Sequence, residues 1–257
     1  MIESKKERYR DLISQVSKSF DPYDPAVSKE ELELFWCDDC REINLWTYWQ
    51  GRNQLDAEIL LVGQDWSSPW DDSAGPTMEQ IARAKWGEEY DYLHNNPSIT
   101  DDRLIKLFRE IGYEVRYPCK GVFFTNFVLG YRNKGLSGGF QKAWAEHDKG
   151  YFRELTNIIE PKVILCLARS TFEGVLSAFG VKLRPGIGNY NQFIESNRNP
   201  VCVELDSGKK VHVFALAHCG ALGTMNRNRG MEKTADVLEV QKRDWGRIRP
   251  YLELSDL

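Results

Sequence analysis

Short, continuously apolar runs alternate along the chain with longer segments in which apolar residues recur every three or four positions. This alternation predicts a mostly parallel β-sheet with helices on both faces, because strands that are covered on both faces are apolar throughout. We therefore expect a three-layer α/β/α sandwich with a central, mostly parallel four-stranded sheet. The four predicted strands are "AEILLVG" (57–63), "GVFFTNF" (121–127), "KVILCLA" (162–168) and "KVHVFALA" (210–217). A fifth run, "VCVEL" (201–205), precedes "DSGKK", which predicts a hairpin to the last strand.

The segments between the strands carry helix start and stop signals. Three pairs have the capping-box spacing, namely Ser28 with Glu31, Thr77 with Gln80, and Ser170 with Glu173. Apolar periodicity predicts one helix over 100–114 and another that starts at Ser170 and stops at Gly180. A last helix is predicted over 231–248, with Val237, Leu238, Trp245 and Ile248 on one face.

Composition places the chain among ordinary globular proteins, with 257 residues, 42% hydrophobic and 28% charged. No repeat or linker divides it, so we expect a single domain over 1–257, with an N-terminal extension over 1–55 and an α/β core over 56–250. No apolar run reaches the roughly 18–20 residues of a membrane span, and the start lacks the apolar core of a signal peptide. We therefore expect a cytoplasmic monomer with no membrane partner and with reduced thiols.

Polar side chains follow the predicted strands where each one ends. Gln64 and Asp65 follow the first strand, Asn126 ends the second, and His218 follows the fourth. Each has an ordinary structural explanation when taken singly, as a helix cap, a turn residue or a core histidine. Ligands of open α/β sheets bind outside the carboxyl ends of the strands, however. Together the residues predict an enzyme site at that edge of the sheet.

These motifs resemble the uracil-DNA glycosylase superfamily. "GQDWS" (63–67) is similar to its first motif, "VFFTNFVLGYR" (122–132) to its Thr-Asn segment, and "HCGALG" (218–223) to its late histidine motif. "EPKVILCLARSTFEGVL" (160–176) resembles its penultimate strand–helix unit, and the matches keep their order over residues 57–229. The resemblance implies hydrolysis of the N-glycosidic bond of uracil or a related damaged base in DNA, without a cofactor.

The resemblance also implies roles for particular residues. Asp65 would stabilise the sugar cation and activate water, and His218 would stabilise the oxyanion that develops on the departing base. Asn126 would read the base edge, since a carboxamide both donates and accepts hydrogen bonds. Base binding is further assigned to Gln64, Trp66, Ser67 and Phe127. Contact with DNA is assigned to Leu222 as an apolar wedge and to Arg227 and Arg229 as phosphate ligands.

The first motif departs from the superfamily pattern directly after Asp65. Trp66 and Ser67 stand where proline and the thymine-excluding tyrosine are expected, so methyl exclusion would fall to Trp66 or Trp70. The aromatic residue that stacks on the base is also missing from its usual position. Trp70, Phe127 or an aromatic of "NLWTYWQG" (44–51) would take its place.

Cys37 and Cys40 form a CxxC pair within "FWCDDCREINLW" (35–46). An iron–sulfur cluster needs four thiolates, and no further cysteine stands at the position that one superfamily branch uses. The pair predicts two unligated thiols, with zinc as the alternative. We therefore expect no metal at the site.

Two other functions are compatible with the strand-end residues. One is a non-catalytic or differently specific relative that binds nucleic acid or nucleotides through the same pocket. The other is an unrelated α/β hydrolase of a small substrate, with Asp65 and His218 as its acid–base pair. The net charge of −4 means that any nucleic-acid site is a local basic patch, for which "TMNRNRGMEK" (224–233) is the candidate.

Overall fold

The protein folds around a five-stranded sheet. Its structure, a computed structural model, describes residues 4–19, 34–35, 55–64, 99–115, 121–129, 131–132, 142–182, 189–231 and 236–253. Its strands are β1 (Leu34–Phe35), β2 (Ile59–Gly63), β3 (Val122–Asn126), β4 (Tyr131–Arg132), β5 (Val163–Leu167), β6 (Val201–Glu204) and β7 (Lys210–Leu216). Strands β1 and β4 form a separate antiparallel pair.

The strand order in the central sheet is β3-β2-β5-β7-β6. The first four strands are parallel, and β6 pairs antiparallel with β7. The four predicted parallel strands and the predicted hairpin are therefore confirmed. The expected number of strands is wrong, because β6, the first strand of the hairpin, adds an antiparallel edge to the same sheet and brings it to five.

Helices cover both faces of this sheet. They are α1 (Lys5–Ser19), α2 (Ile99–Glu110), α3 (Lys142–Ile159), α4 (Arg169–Ala178), α5 (Tyr190–Ser196), α6 (Ala221–Asn228), α7 (Glu239–Gly246) and α8 (Arg249–Leu252). The side chains of β2 alternate between two apolar cores, as the pleat of a strand requires. Leu60 and Val62 join the core under α1, α3, α4 and α5, whereas Ile59 and Leu61 join the core under α2 and α7. The three-layer α/β/α sandwich is thus confirmed.

Helix α1 belongs to one of these layers. Leu12 and Val16 are buried in the same core as Leu60. The Lys5 ammonium donates to the carbonyl oxygens of Leu55 and Ile159, at 3.2 and 3.1 Å. The first described helix is therefore packed on the α/β core. Among the helices that the structure describes, none has the length and apolarity that crossing a membrane requires.

Two predicted helix starts differ from the observed ones. Helix α4 begins at Arg169 after Ala168, whose φ is 99°, so Ser170 lies inside the helix and does not cap it. Its predicted stop is confirmed, because Gly180 has a φ of 71° and the following Val181 N–H donates to the Leu176 carbonyl. The last helix, predicted from residue 231, begins at Glu239, and its predicted inward residue Val237 is 51% exposed. The capping pairs at Ser28 and Thr77 lie outside the described residues.

Candidate functional site

The strand order creates a crevice between β2 and β5. From β2 the chain goes to β3 on one side, and from β5 it goes to β6 and then to β7 on the other. Ligands of open α/β sheets bind outside the carboxyl ends of the strands where the connections diverge in this way. Gln64 follows β2 at this point, and Ser170 lies just beyond β5. The Ser170 hydroxyl donates to Gln64 Oε1 at 3.1 Å, so the two walls of the crevice are joined by a hydrogen bond.

Asn126 ends the strand next to this crevice and lies against Gly63. It is 4% exposed, and its register partner across the sheet is Gly63. A Cβ built on Gly63 would lie 2.0 Å from Asn126 Oδ1, so the carboxamide occupies the space that any other side chain at position 63 would need. No hydrogen bond joins this carboxamide to another residue of the described part of the chain. The carboxamide is therefore held by packing against Gly63 at the carboxyl end of β3.

Phe127, predicted to bind the base, lies in the apolar core instead. Its ring is 0% exposed, lies 5.0 Å from the Phe152 ring, and packs against Gly174 of α4. The base-binding prediction for Phe127 is therefore wrong, because this ring belongs to the core layer of α3 and α4. Phe124, which was not predicted as a site residue, shares the face of Asn126. It is half-buried, and Cε2 of its ring lies 3.6 Å from a Cβ built on Gly63. Strand periodicity supplied the signal, since residue 124 stands two positions before Asn126.

His218 follows β7 and is held at three points. Its backbone N–H donates to the Tyr190 hydroxyl at 3.0 Å. Its carbonyl oxygen accepts from Gln241 Nε2 at 3.3 Å. Its ring atom Nδ1 accepts from the Gly220 N–H at 3.0 Å. Helices α5 and α7 therefore fix the backbone of this histidine, and its own loop fixes the ring.

These contacts determine the protonation state of His218. A backbone N–H can only donate, so Nδ1 must be unprotonated and the neutral ring carries its hydrogen on Nε2. Although the residue borders solvent, burial of the ring among protein atoms lowers its pKa below the ordinary value. At neutral pH the imidazole is therefore uncharged and presents a single donor, Nε2–H.

The His218 loop is tight because glycines let it fold back on itself. A Cβ built on Gly223 would lie 2.2 Å from the His218 carbonyl oxygen, and one built on Gly220 would lie 2.9 Å from Nδ1. Arg103 of α2 braces the loop, with Nη1 donating to the Cys219 carbonyl and to Thr224 Oγ1 at 3.1 Å each. Such a loop holds the imidazole in place before any ligand arrives.

The two surface residues predicted to contact DNA lie on or just after the helix that follows this loop. Leu222 is 63% exposed on α6, and Met225, one turn later on the same helix, is 61% exposed. Arg229 is also exposed, and its carbonyl oxygen accepts from Asn191 Nδ2 at 2.9 Å. Both positions are accessible to a large ligand, and their roles in DNA binding stay predictions.

Arg227, the other predicted phosphate ligand, is buried. Its side chain is 1% exposed, and Nε and Nη2 donate to the two carboxylate oxygens of Asp244 at 2.7 and 3.0 Å. Nη2 also donates to Glu195 Oε1 at 2.5 Å. Burial by itself lowers the pKa of the guanidinium, but these two carboxylates more than offset it and raise the pKa overall. The prediction of a phosphate contact is wrong, because the donors of Arg227 are already used inside the protein.

Several predicted site residues lie outside the described residues. These are Asp65, Trp66, Ser67 and Trp70 after β2, and Cys37 and Cys40 near the N-terminus. Among the residues that are described, no group of three or more histidine, cysteine, aspartate or glutamate side chains could hold a metal ion.

No protein-family model matches the chain, and no curated protein is significantly similar to it.

Proposed function

We propose that the protein is a monofunctional DNA glycosylase, which hydrolyses the N-glycosidic bond of uracil or a related damaged base. One observation carries the proposal. His218 is neutral, its hydrogen is fixed on Nε2, and it lies at the same edge of the sheet as the buried Asn126 carboxamide. The motif resemblance over residues 57–229 supports the same chemistry.

The two side chains fit the two needs of a departing base. Cleavage leaves negative charge on a base carbonyl oxygen, and a preorganised neutral donor such as His218 Nε2–H stabilises that charge. Asn126 both donates and accepts, which suits the Watson–Crick edge of uracil. Three strand spacings separate β3 from β7, about 14 Å in all, and this is the span that a flipped nucleoside would bridge between the two strand ends.

The remaining roles come from position in the sequence. Asp65 directly follows Gln64 at the wall of the crevice, where its carboxylate would stabilise the sugar cation and activate water. Trp66 and Ser67 follow it and would shape the base pocket. Taking a base out of the duplex costs a few kcal/mol, and Leu222, exposed on α6, would fill the gap that the base leaves. Arg229 would then contact a phosphate.

The proposal is tested with oligonucleotides that contain uracil, hypoxanthine or a thymine mismatch, in single- and double-stranded form, followed by alkaline cleavage of abasic sites. We expect His218→Ala to lower kcat about 10²–10³-fold, the usual effect of removing one preorganised donor. His212→Ala is the matched control. His212 lies on β7, the strand that precedes His218; its ring lies 4.7 Å from the Tyr251 ring, and burial lowers its pKa as well.

The outcomes separate three readings of the site. Strand cleavage that depends on His218 and on Asp65 supports the proposal. Activity that survives both Asp65→Asn and His218→Ala means that the residue roles are wrong. If the wild-type protein binds DNA but releases no base from any of the substrates, it is a DNA-binding protein, and the glycosylase proposal is contradicted.

A second function is favoured by one observation, the burial of Arg227. Because Arg227 is buried, it does not contribute to the predicted basic patch. A hydrolase of a small substrate, such as a free nucleoside, needs no such patch. Release of the base from nucleosides, together with no salt-dependent binding of oligonucleotides, would support this second function over the first.

A further inference from the structure

Tyr190 contacts His218 from a helix that is itself firmly placed. It is the first residue of α5, which starts with a reciprocal capping box between Asn189 and Gln192. Asn191 next to it ties α5 to α6, because its Nδ2 donates to the Arg229 carbonyl at 2.9 Å. The Tyr190 ring is half-buried against the core, with its hydroxyl 3.0 Å from the His218 backbone nitrogen.

The hydroxyl of Tyr190 is a neutral acceptor for that backbone N–H. Burial is the largest influence on its pKa and raises it, and the hydrogen bond from the His218 backbone N–H lowers it by less, so the pKa is raised overall. The phenol is therefore protonated at neutral pH, and its oxygen is free to accept. In the described part of the chain, the His218 N–H makes its hydrogen bond to this oxygen.

We infer that Tyr190 is a positioning residue, which holds the backbone of His218 so that Nε2–H points at the developing oxyanion of the substrate. The inference rests on the proposed function. Tyr190 holds the backbone nitrogen of His218, and Gln241 holds its carbonyl oxygen. The backbone on both sides of the His218 Cα is therefore fixed, and this sets the direction in which the side chain leaves it. A misplacement of about 1 Å in such a group costs up to 10²-fold in rate.

The test compares Tyr190→Phe with Tyr113→Phe. Both changes remove only a hydroxyl from a partly buried tyrosine that makes a hydrogen bond. Tyr113 donates to Glu58 Oε2 at 2.6 Å, and Glu58 immediately precedes β2 at the amino end of the sheet, opposite the site. Tyr113→Phe therefore measures the general effect of losing a partly buried hydroxyl away from the site.

We expect Tyr190→Phe to lower kcat between about 10- and 100-fold, with KM changed less than about twofold, because the donor matters most when charge develops on the base. Tyr113→Phe is expected to leave both within about twofold. Equal effects of the two substitutions on kcat would overturn the inference. So would a loss confined to KM.

A second readout does not depend on glycosylase activity. Backbone amide exchange, followed by NMR, is expected to show a protected His218 amide in the wild type and in Tyr113→Phe, and faster exchange in Tyr190→Phe. A His218 amide that exchanges in the wild type as fast as an exposed loop amide contradicts the inference, even if Tyr190→Phe does not fold. If the wild type cleaves no substrate but the amide behaves as expected, the proposed function fails while the positioning contact stands.

Discussion

Replacing Arg227 by methionine gives a sharp test of the buried ion pair. Methionine keeps an unbranched apolar stem, so the substitution removes the charge and the donors while much of the packing is retained. Asp244, whose side chain is 3% exposed, loses both of its hydrogen bonds to the guanidinium. It keeps a contact with Arg247, whose side chain is 32% exposed.

The expected loss in the free energy of unfolding depends on which carboxylates remain without an arginine partner. Removing one partner of a buried pair costs about 3–5 kcal/mol, because the other charge stays buried. Arg247 compensates in part for Asp244, and Glu195 at 30% exposure regains water, so we expect the lower end, about 3 kcal/mol. For a chain of this size that corresponds to a fall in Tm of about 6–12 °C.

The assay is thermal and urea unfolding of Arg227→Met beside Arg229→Met, an exposed arginine two positions later. The control is expected to change stability by less than about 0.5 kcal/mol. Replacing both partners, as Arg227→Met with Asp244→Leu, is expected to recover part of the loss, because a buried pair exchanged for apolar residues is often neutral.

DNA binding separates this structural role from a phosphate contact. A phosphate ligand, when removed, lowers the salt slope of binding by about one without affecting the fold. We expect that effect for Arg229→Met alone. If Arg227→Met keeps its Tm within about 2 °C and lowers the salt slope by about one, the buried pair is not what holds Arg227.

Three further predictions concern the site and its controls. Gly63→Ala places a methyl group 2.0 Å from Asn126 Oδ1, so the carboxamide must move. We expect KM to rise roughly 5- to 150-fold, the equivalent of about 1–3 kcal/mol, while the urea midpoint of unfolding changes little. Gly150→Ala, in an exposed part of α3 with nothing within 4 Å of the new Cβ, is expected to raise the free energy of unfolding by about 0.5–1 kcal/mol. Burial lowers the pKa of His218, and the proposed reaction uses its neutral form. On acidification kcat should therefore stay flat through a pH of about 6.5 and fall only below it, and an acid limb centred at or above about 6.5 contradicts a neutral His218.

The sheet is the part of the fold that the sequence predicts best, for a physical reason. Strands β2 and β5 are buried on both faces, so their apolar runs are unbroken and stand out from helical periodicity. The hairpin is equally predictable from the sequence, because "DSGKK" joins β6 to β7 and supplies a glycine, Gly208, at the turn position where φ is 85°. The expected count of four did not include β6, although a hairpin places both of its strands in one sheet, and β6 joins this sheet at the edge beyond β7.

The residues that were wrongly predicted are those whose environment is set by distant parts of the chain. Arg227 stands in a polar stretch that looks solvated, yet its partners Glu195 and Asp244 come from two other helices. Ser170 has the spacing of a cap, yet Gln64 across the crevice takes its hydroxyl. No local pattern contains either partner. Phe127 differs, because its neighbour Asn126 already marks the opposite face of the strand.

Close packing explains why glycines accompany the candidate site residues in the sequence. At position 63 a Cβ would collide with the Asn126 carboxamide, and at position 223 it would collide with the His218 carbonyl. Neither glycine has a positive φ, so backbone conformation is not the reason for it. Each is needed because a site group occupies the space of a side chain. A glycine at the end of a buried strand, or within a few residues of a strand-end histidine, therefore predicts where the backbone makes room for a neighbouring polar group, even when that group is more than sixty residues away.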